Sequence, residues 1–318
     1  MADDIGKVIG AINGLMSDPL SGSKNKKVMK MNMELLNIAE QDLKAAKVLH
    51  ENELYPQSIF YFQQSVEKAN KSFALITYQV EEKDLLKEVG HETINIYQKS
   101  LQHQRKRYEQ LKEKFNKIPE LKKSKFFKDF DANRNLRQLD IILSEIYTIK
   151  KDKKELIYIS QWEIRRILKE IESANKELEK AKKKISDFKI TDRVWNKMKT
   201  EMLELYNSLS KYNPLQIEEA KNNFHSNDMK LLVERNIKSL IEPMNIIQLS
   251  ISLYYLAVIT LPHSSLTRYP QNNLTPVGIY TKKLPIVKML PELIDIQVIV
   301  LKELKIQNNK FEEINEIH

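Results

Sequence analysis

The chain has no cysteine and few residues that favour turns. Its 318 residues include only 6 glycines and 10 prolines. Without cysteine there is no disulfide framework, no thiolate metal site and no cysteine nucleophile, and the composition fits a reducing compartment. An all-β sandwich or barrel needs a turn about every 8–12 residues, so the scarcity of glycine and proline disfavours such a fold. We therefore expect an all-α protein.

Targeting and membrane-spanning segments are also missing. The chain begins Met1-Ala-Asp-Asp, which is not the positively charged start of a signal peptide. The most apolar run, 244–261, contains Asn, Gln and Ser and falls short of the roughly 20 apolar residues that a membrane span needs. We expect this run to be a buried core helix, the protein to be cytoplasmic, and no membrane to be a partner.

Signatures of the common enzyme classes do not occur. The chain has no Walker pattern, no GxGxxG, no HExxH and no Gly-x-Ser-x-Gly, and its six histidines are isolated from one another. Phosphate-binding loops, zinc hydrolysis and serine acyl transfer therefore have no support. Asp129-Phe130-Asp131 brings two carboxylates together, but it lies among lysines. We expect no metal and no cofactor.

Positive charge is concentrated in the middle third of the chain. Of a net charge of +9, the segment between Lys99 and Thr200 carries 29 Lys and Arg against 16 Asp and Glu. Such a field attracts RNA or another polyanion by counterion release, whereas interleaved acids are typical of the solvated faces of long helices. Both interpretations stay open. The residues of the predicted nucleic-acid-binding patch are Arg105, Lys106, Arg107, Lys122, Lys123, Lys125, Lys182, Lys183 and Lys184.

Apolar residues recur with a helical period along most of the chain. We expect helices over 30–50, 56–78, 91–117, 136–150, 158–188, 194–209, 243–260 and 284–304, with a polar loop over 261–280. Thr191 is the expected cap of the helix 194–209. In 158–188 a narrow apolar seam that includes Ile164, Ile167 and Ile171 is typical of a coiled-coil hairpin or an extended helical arm.

One predicted helix, 56–78, carries ionisable side chains among aromatic and aliphatic ones. Gln64, Glu67, Lys68 and Lys71 are spaced i, i+3, i+4 and i+7, so they share one face. Polar groups on a central helix are costly unless they are paired. They form either an internal network that fixes the helix register or a cleft that binds a nucleotide or phosphate.

Four short stretches form a recognisable combination. They are Ala39–Ala46, the YFQQSVEKANK run at 61–71, Gly90-His91-Glu92, and Thr267-Arg268-Tyr269-Pro270. Together they resemble the HEPN family, named for nucleotide binding in higher eukaryotes and prokaryotes, in which a QQ/EK helix and an RYP loop recur. The resemblance implies an up-and-down helical bundle that is often dimeric.

The resemblance also implies a domain organisation. The similar stretches cover about 35–100 and 237–305, so the bundle is expected to comprise 31–100 and 237–318. The basic segment 101–236 then becomes a long-helix or coiled-coil insertion, and 1–30 an N-terminal glycine-containing helix and loop.

Members of the family are RNase toxins, partners of minimal nucleotidyltransferases in toxin–antitoxin pairs, or non-catalytic binders of RNA or nucleotide. The RNase members use an arginine followed four to six residues later by histidine, and no arginine here has this neighbour. The resemblance therefore implies a protein that binds RNA, nucleotide or a protein partner. The alternatives are an RNase-type effector of a toxin–antitoxin or defence system, which would be metal-independent, and a coiled-coil scaffold.

The motifs suggest roles for single residues. His91 and Arg268 are the catalytic candidates if the protein is an RNase, but His91 equally suits a helix cap or a hydrogen bond within the bundle. Arg268 is expected to pair with Glu67. Tyr269 and Tyr280 would either stack on a base or pack as hydrogen-bonded phenols.

Overall fold

The computed structural model describes residues 25–77, 79, 85, 90–123, 125, 131–211, 218, 221–222, 228–270 and 275–316. Throughout these residues the regular structure is helical, which confirms the all-α prediction. The predicted N-terminal helix over 1–17 lies outside the described residues. The α-helices are α1 (Asn25–Glu51), α2 (Tyr55–Ile76), α3 (Ile94–Lys117), α4 (Pro119–Lys123), α5 (Ala132–Lys151), α6 (Gln161–Ser186), α7 (Asp192–Leu209), α8 (Asp228–Lys238), α9 (Ile241–Thr260), α10 (His263–Leu266), α11 (Pro276–Ile279) and α12 (Pro285–Glu316).

The chain divides into two compact units. The first, here the bundle unit, comprises Met16–Gln102, Ile142–Lys176 and Ile246–His318. The second, the basic unit, comprises Met1–Leu15, His103–Ile141 and Glu177–Asn245. Residues 142–176 of the expected insertion therefore lie in the bundle unit.

The core of the bundle unit joins helices from both ends of the chain. Leu36 of α1, Phe62 and Val66 of α2, Leu253 of α9 and Leu293 of α12 are all fully buried in one hydrophobic cluster. The helix α12 packs against both α1 and α2. Because α2 is covered on most of its faces, even its polar residues must find partners inside the protein.

His50 supplies a hydrogen bond that α12 loses at its internal proline. Pro291 has no N–H, so the carbonyl oxygen of Val287, four residues earlier, loses its helical partner. The Nε2 of His50, on α1, lies 2.9 Å from that carbonyl oxygen and donates to it. This hydrogen bond satisfies the free acceptor and joins the first described helix to the last.

His91 lies outside the helix that it was expected to begin. Gly90 has a φ of 56°, in the left-handed region that glycine adopts most readily. The chain then turns, and α3 begins only at Ile94. His91 is therefore a turn residue rather than a helix cap.

The predicted helix 158–188 is present as the single helix α6, which begins three residues later than expected. A short 3₁₀ helix, Glu155–Tyr158, ends before α6 begins at Gln161. Ser160 and Glu163 form a capping box at the start of α6, because the Ser160 N–H donates to Oε2 of Glu163 at 2.9 Å and the Glu163 N–H donates to Oγ of Ser160 at 3.2 Å.

The apolar seam at the start of α6 packs into the bundle instead of forming a coiled-coil hairpin or an extended arm. Ile164, Ile167 and Ile171 are buried in the hydrophobic cluster of the bundle unit. This part of α6 is thus a bundle helix and not a free helical arm.

Two other boundaries compare well with the periodic pattern. Thr191 caps α7 as expected, since its Oγ1 accepts from the Val194 N–H. The expected loop 261–280 contains the short helices α10 and α11, which are too brief to produce an apolar period.

The apolar helix predicted near residue 250 lies inside the bundle. One helical stretch among the described residues, Asp228–Thr260, is long and apolar enough for a membrane span by length and composition alone. Its most apolar window is 61% buried within the protein, which is typical of a core helix.

We predict that the two sides of α12 differ strongly in their contribution to stability. Leu293→Ala removes a fully buried side chain and should lower the free energy of unfolding by about 2–5 kcal/mol. Val298→Ala, on the same helix but 52% exposed, should change it by less than about 0.5 kcal/mol. Urea unfolding monitored by circular dichroism measures both, and equal effects would contradict the described packing of α12.

Candidate ligand-binding site

A buried ion pair forms the centre of the polar stripe on α2. The carboxylate of Glu67 accepts from Nζ of Lys71 at 2.7 Å and from Nε2 of Gln63 at 3.1 Å. Glu67 is 4% exposed and Lys71 is 7% exposed. Removing either partner would leave an unpaired charge inside the bundle, which is strongly destabilising.

The partners of Glu67 keep it ionised despite its burial. Desolvation acts to raise the pKa of Glu67, but the hydrogen bond and charge of Lys71, the hydrogen bond of Gln63 and the charge of His91 together lower it below its ordinary value. The carboxylate is therefore charged at neutral pH.

The rest of the stripe reaches the edge of the bundle. Nζ of Lys68 donates to Asp42 on α1 at 2.6 Å and to Gln64 at 3.1 Å. Nε2 of Gln64 lies 3.4 Å from the Glu67 carboxylate. All four residues of the predicted stripe thus join one network, in which Gln64 and Lys68 are half-buried.

An exposed histidine sits over this network. Nδ1 of His91 lies 3.3 and 3.4 Å from the two carboxylate oxygens of Glu67, whereas the His91 side chain is 70% exposed. A carboxylate that orients a solvent-accessible imidazole is the arrangement of a general acid–base pair. Neither the turn at Gly90 nor this contact is visible in the helical period, although the Gly-His-Glu motif identified His91 itself.

Arg268 does not form the expected ion pair with Glu67. Its guanidinium carbon lies 5.3 Å from the ring centre of Phe60 and 5.4 Å from that of Tyr269, and its Nε donates to the carbonyl of Ser264 at 3.2 Å. Phe60 precedes Glu67 by seven residues, which is about 10 Å along α2. His91 and Arg268 therefore lie along the same side of α2 but about two turns apart.

Tyr280 packs in the core instead of presenting a ring to a base. It is 1% exposed, and its hydroxyl lies 2.7 Å from Nδ1 of His263, which is fully buried. Burial raises the pKa of Tyr280 and lowers that of His263 to about 3. The isolated position of His263 in the sequence offered no sign of this pair.

Tyr269 and a second aromatic residue remain at the surface. Tyr269 is 59% exposed and Tyr61 is 36% exposed. The rings of Phe60 and Tyr61 meet edge to face, with centres 5.3 Å apart. Sequence analysis gave Tyr61 no role of its own beyond the YFQQSVEKANK run. Since Phe60, Tyr61 and Phe62 are consecutive on a helix, however, all three cannot point into one core.

The predicted basic patch lies entirely in the basic unit. Arg105 is paired twice, with Asp140 at 2.8 Å and Glu109 at 2.6 Å, and Lys182 is paired with Glu179 at 2.6 Å. Lys125 lies 3.8 Å from Glu204. Arg107 is half-buried, and the side chain of Lys122 lies outside the described residues.

The remaining patch lysines are exposed and make no ion pair among the described residues. Among the described residues, no carboxylate lies within ion-pair distance of Lys106, Lys123, Lys183 or Lys184. All four are exposed. They are the members of the patch that can meet a polyanion without first breaking an existing pair.

Metal-binding clusters are not found in the described part of the chain, where no three His, Asp or Glu side chains come together. Asp131 has a structural task, since its Oδ1 accepts from the Arg134 N–H at the start of α5. Asp129 lies outside the described residues.

The fold and the site define an all-α helical bundle that has a buried Glu–Lys pair beneath an exposed histidine. Comparison with known proteins supports the resemblance: residues 33–173, a little under half of the chain, match the family model "HEPN domain", which confirms the HEPN resemblance for this segment. The match runs continuously through 101–173 and does not single out a large insertion. No curated protein and no solved structure matches the chain significantly.

We predict that two pairs with the same spacing differ in strength because only one is buried. Lys71→Met leaves Glu67 unpaired in the bundle and should cost about 3–5 kcal/mol of unfolding free energy at pH 7. Lys176→Met breaks the Glu172–Lys176 pair, which is also spaced i, i+4 but is exposed, and should cost less than about 0.5 kcal/mol. Because the pKa of Glu67 is lowered by folding, its contribution is lost as the pH falls through the lowered value.

Equal losses in urea unfolding of the two variants would contradict the burial of the Glu67–Lys71 pair. Glu67→Gln combined with Lys71→Met gives the coupling energy between the two residues, which should exceed that of the matched pair at 172 and 176.

We predict a second acid-sensitive group in His263. Its pKa is lowered by burial from 6.5 to about 3. Between these two pH values the unfolded chain therefore binds a proton at this histidine and the folded chain does not. Stability should therefore fall as the pH is lowered through this window, by at most about 1.4 kcal/mol per pH unit. His263→Gln should flatten this slope in urea unfolding between pH 7 and 4, whereas His103→Gln should not, because His103 is exposed to water in both states.

Proposed function

We propose that this HEPN-domain protein binds RNA without cleaving it. The family membership makes a role connected with RNA or nucleotides the first expectation, and the distribution of charge supports the same choice. The location in the cytoplasm, a homodimer or other protein partner, and a role in a toxin–antitoxin or defence system stay predictions that rest on the resemblance and the composition.

The observation that carries this proposal is the segregation of unpaired positive charge. In the sequence, the segments 103–141 and 177–245 of the basic unit contain 25 Lys and Arg against 17 Asp and Glu, which is nearly the whole net charge of +9. Lys106, Lys123, Lys183 and Lys184 are exposed and carry no ion pair among the described residues. Lysines of this kind release counterions when they meet phosphates, so they favour a polyanionic ligand.

The absence of the family's RNase motif supports binding rather than cleavage. A metal-independent RNase needs an acid–base group beside a cation that stabilises the phosphate. The arginines of this chain have no histidine at the family's spacing. The alternative candidates are held by different parts of α2, since His91 contacts Glu67 whereas Arg268 contacts Phe60, about two helical turns earlier.

A second candidate function, RNA cleavage, is favoured by one specific contact. His91 is exposed and is oriented by the buried carboxylate of Glu67, with Lys71 bound to the same carboxylate. This arrangement is able to accept and return a proton. It would require a phosphate-stabilising cation that does not come from Arg268.

We predict that binding of a single-stranded RNA depends on salt through the basic unit. The variant Lys106→Gln/Lys183→Gln/Lys184→Gln should reduce the slope of log affinity against log salt by up to about 2, because each lost phosphate contact removes about 0.7. Lys44→Gln/Lys47→Gln/Lys302→Gln removes the same charge from exposed positions of the bundle unit and should leave the slope almost unchanged. Fluorescence anisotropy with a 20-nucleotide RNA in EDTA measures both.

The same samples, run on a denaturing gel, separate the two candidate functions. Intact RNA together with salt-dependent binding supports the proposal. Cleavage that disappears in His91→Ala while binding persists would replace it with the RNase. Immeasurable binding at low salt would refute both and favour a scaffold.

A further inference from the structure

The surface around Arg268 combines three aromatic rings with one cation. The Tyr61 and Phe60 rings meet edge to face with centres 5.3 Å apart, and the guanidinium carbon of Arg268 lies 5.3 Å from the ring centre of Phe60 and 5.4 Å from that of Tyr269. These four residues, here the aromatic–arginine cluster, come from α2 and from the turn after α10. They were far apart in the sequence and only the fold brings them together.

The positive charge of Arg268 has no counter-charge among the described residues of this cluster. Among the described residues no carboxylate pairs with Arg268, whose recorded hydrogen bond goes to the neutral carbonyl of Ser264. Arg268 is nevertheless exposed to solvent, and the Tyr269 ring beside it is largely exposed. A cation and flat apolar rings that face solvent together fit a ligand that is both flat and negatively charged.

The turn that carries Arg268 and Tyr269 is anchored to the core by hydrogen bonds. Thr267 donates from Oγ1 to the carbonyl of His263 at 2.8 Å, and His263 is bound to Tyr280 within the core. The turn that carries Arg268 and Tyr269 is therefore joined by a hydrogen bond to the buried His263–Tyr280 pair. A site that is ordered before binding loses less entropy when the ligand arrives.

We propose that the aromatic–arginine cluster is the site where an unpaired base of single-stranded RNA stacks, with Arg268 next to the adjoining phosphate. This inference rests on the proposed function, because it names the part of the RNA that the bundle unit recognises. The lysines of the basic unit attract phosphates, whereas these rings can recognise only the face of a base. A protein partner is the competing occupant, but an apolar protein surface would leave the Arg268 charge without a counter-charge.

Two probes of equal charge test the site. One is a 12-nucleotide single-stranded RNA, and the other is an abasic strand of the same length and backbone. The protein should bind the base-bearing strand at least about 10-fold more tightly, since stacking of each base on an aromatic ring is worth about that factor or more. Tyr61→Ala/Tyr269→Ala should lose this preference and keep its affinity for the abasic strand.

Controls separate stacking from folding and from charge. Tyr147→Ala removes another exposed tyrosine of the bundle unit and should preserve the preference. Arg268→Lys keeps the charge but loses the planar guanidinium, so it should weaken binding of the base-bearing strand about 3-fold or more and leave the abasic strand unaffected. Circular dichroism and thermal unfolding verify that each variant is folded.

The possible outcomes distinguish this inference from the proposed function. Equal binding of both probes by the wild type, or an unchanged preference in Tyr61→Ala/Tyr269→Ala, overturns the stacking site and leaves RNA binding by the basic unit intact. No binding of either probe overturns both. If the double variant loses self-association in gel filtration while its RNA preference is unchanged, the cluster is a protein contact instead.

Discussion

The ion pair between Glu67 and Lys71 is the constraint around which the bundle unit is organised. Two charges inside a helical bundle are tolerated only when they stay together and their remaining hydrogen-bonding capacity is satisfied. Because both charges belong to α2, the pair forms within that helix and allows its polar stripe to be buried together with the core residues Phe62 and Val66. The Glu67 carboxylate also contacts His91, which lies 24 residues later in the turn before α3. The polar network is therefore structural at its centre and accessible at its edge.

The two compact units differ in the functional side chains that they carry. The bundle unit has the buried network, the exposed His91 and the aromatic–arginine cluster, whereas the basic unit has most of the positive charge and the unpaired lysines. Long-range attraction and short-range recognition need different groups: the first needs charge in water, and the second needs rings and hydrogen bonds in fixed positions. A division of these tasks between the units is the physical basis of the proposed function.

Much of the helical order was accessible from the periodic pattern, and the errors occurred where local chemistry overrides it. The pattern predicted α2, α7 and α9 closely, because α2 and α7 each have an apolar period and a proline or threonine at the start, and α9 is apolar on most sides over its whole length. It began α6 three residues too early, because the Ser160–Glu163 capping box sets the start of the helix without interrupting the apolar period. It interpreted the seam of α6 as an arm, because a narrow apolar stripe has the same sequence whether its neighbours belong to a coiled coil or to a bundle.

By itself the sequence determined the all-α class, the HEPN resemblance, the location of the positive charge and the set of polar residues on α2. These features depend on composition and on spacing within a single helix, both of which are readable along the chain. Only the tertiary structure decided that Arg268 stacks on Phe60 instead of pairing with Glu67, that Tyr280 is buried against His263, and that His50 satisfies the carbonyl left free by Pro291. Each of these contacts joins residues that are distant in sequence or separated by a turn, and the energy that selects them comes from packing and burial, which no local pattern records.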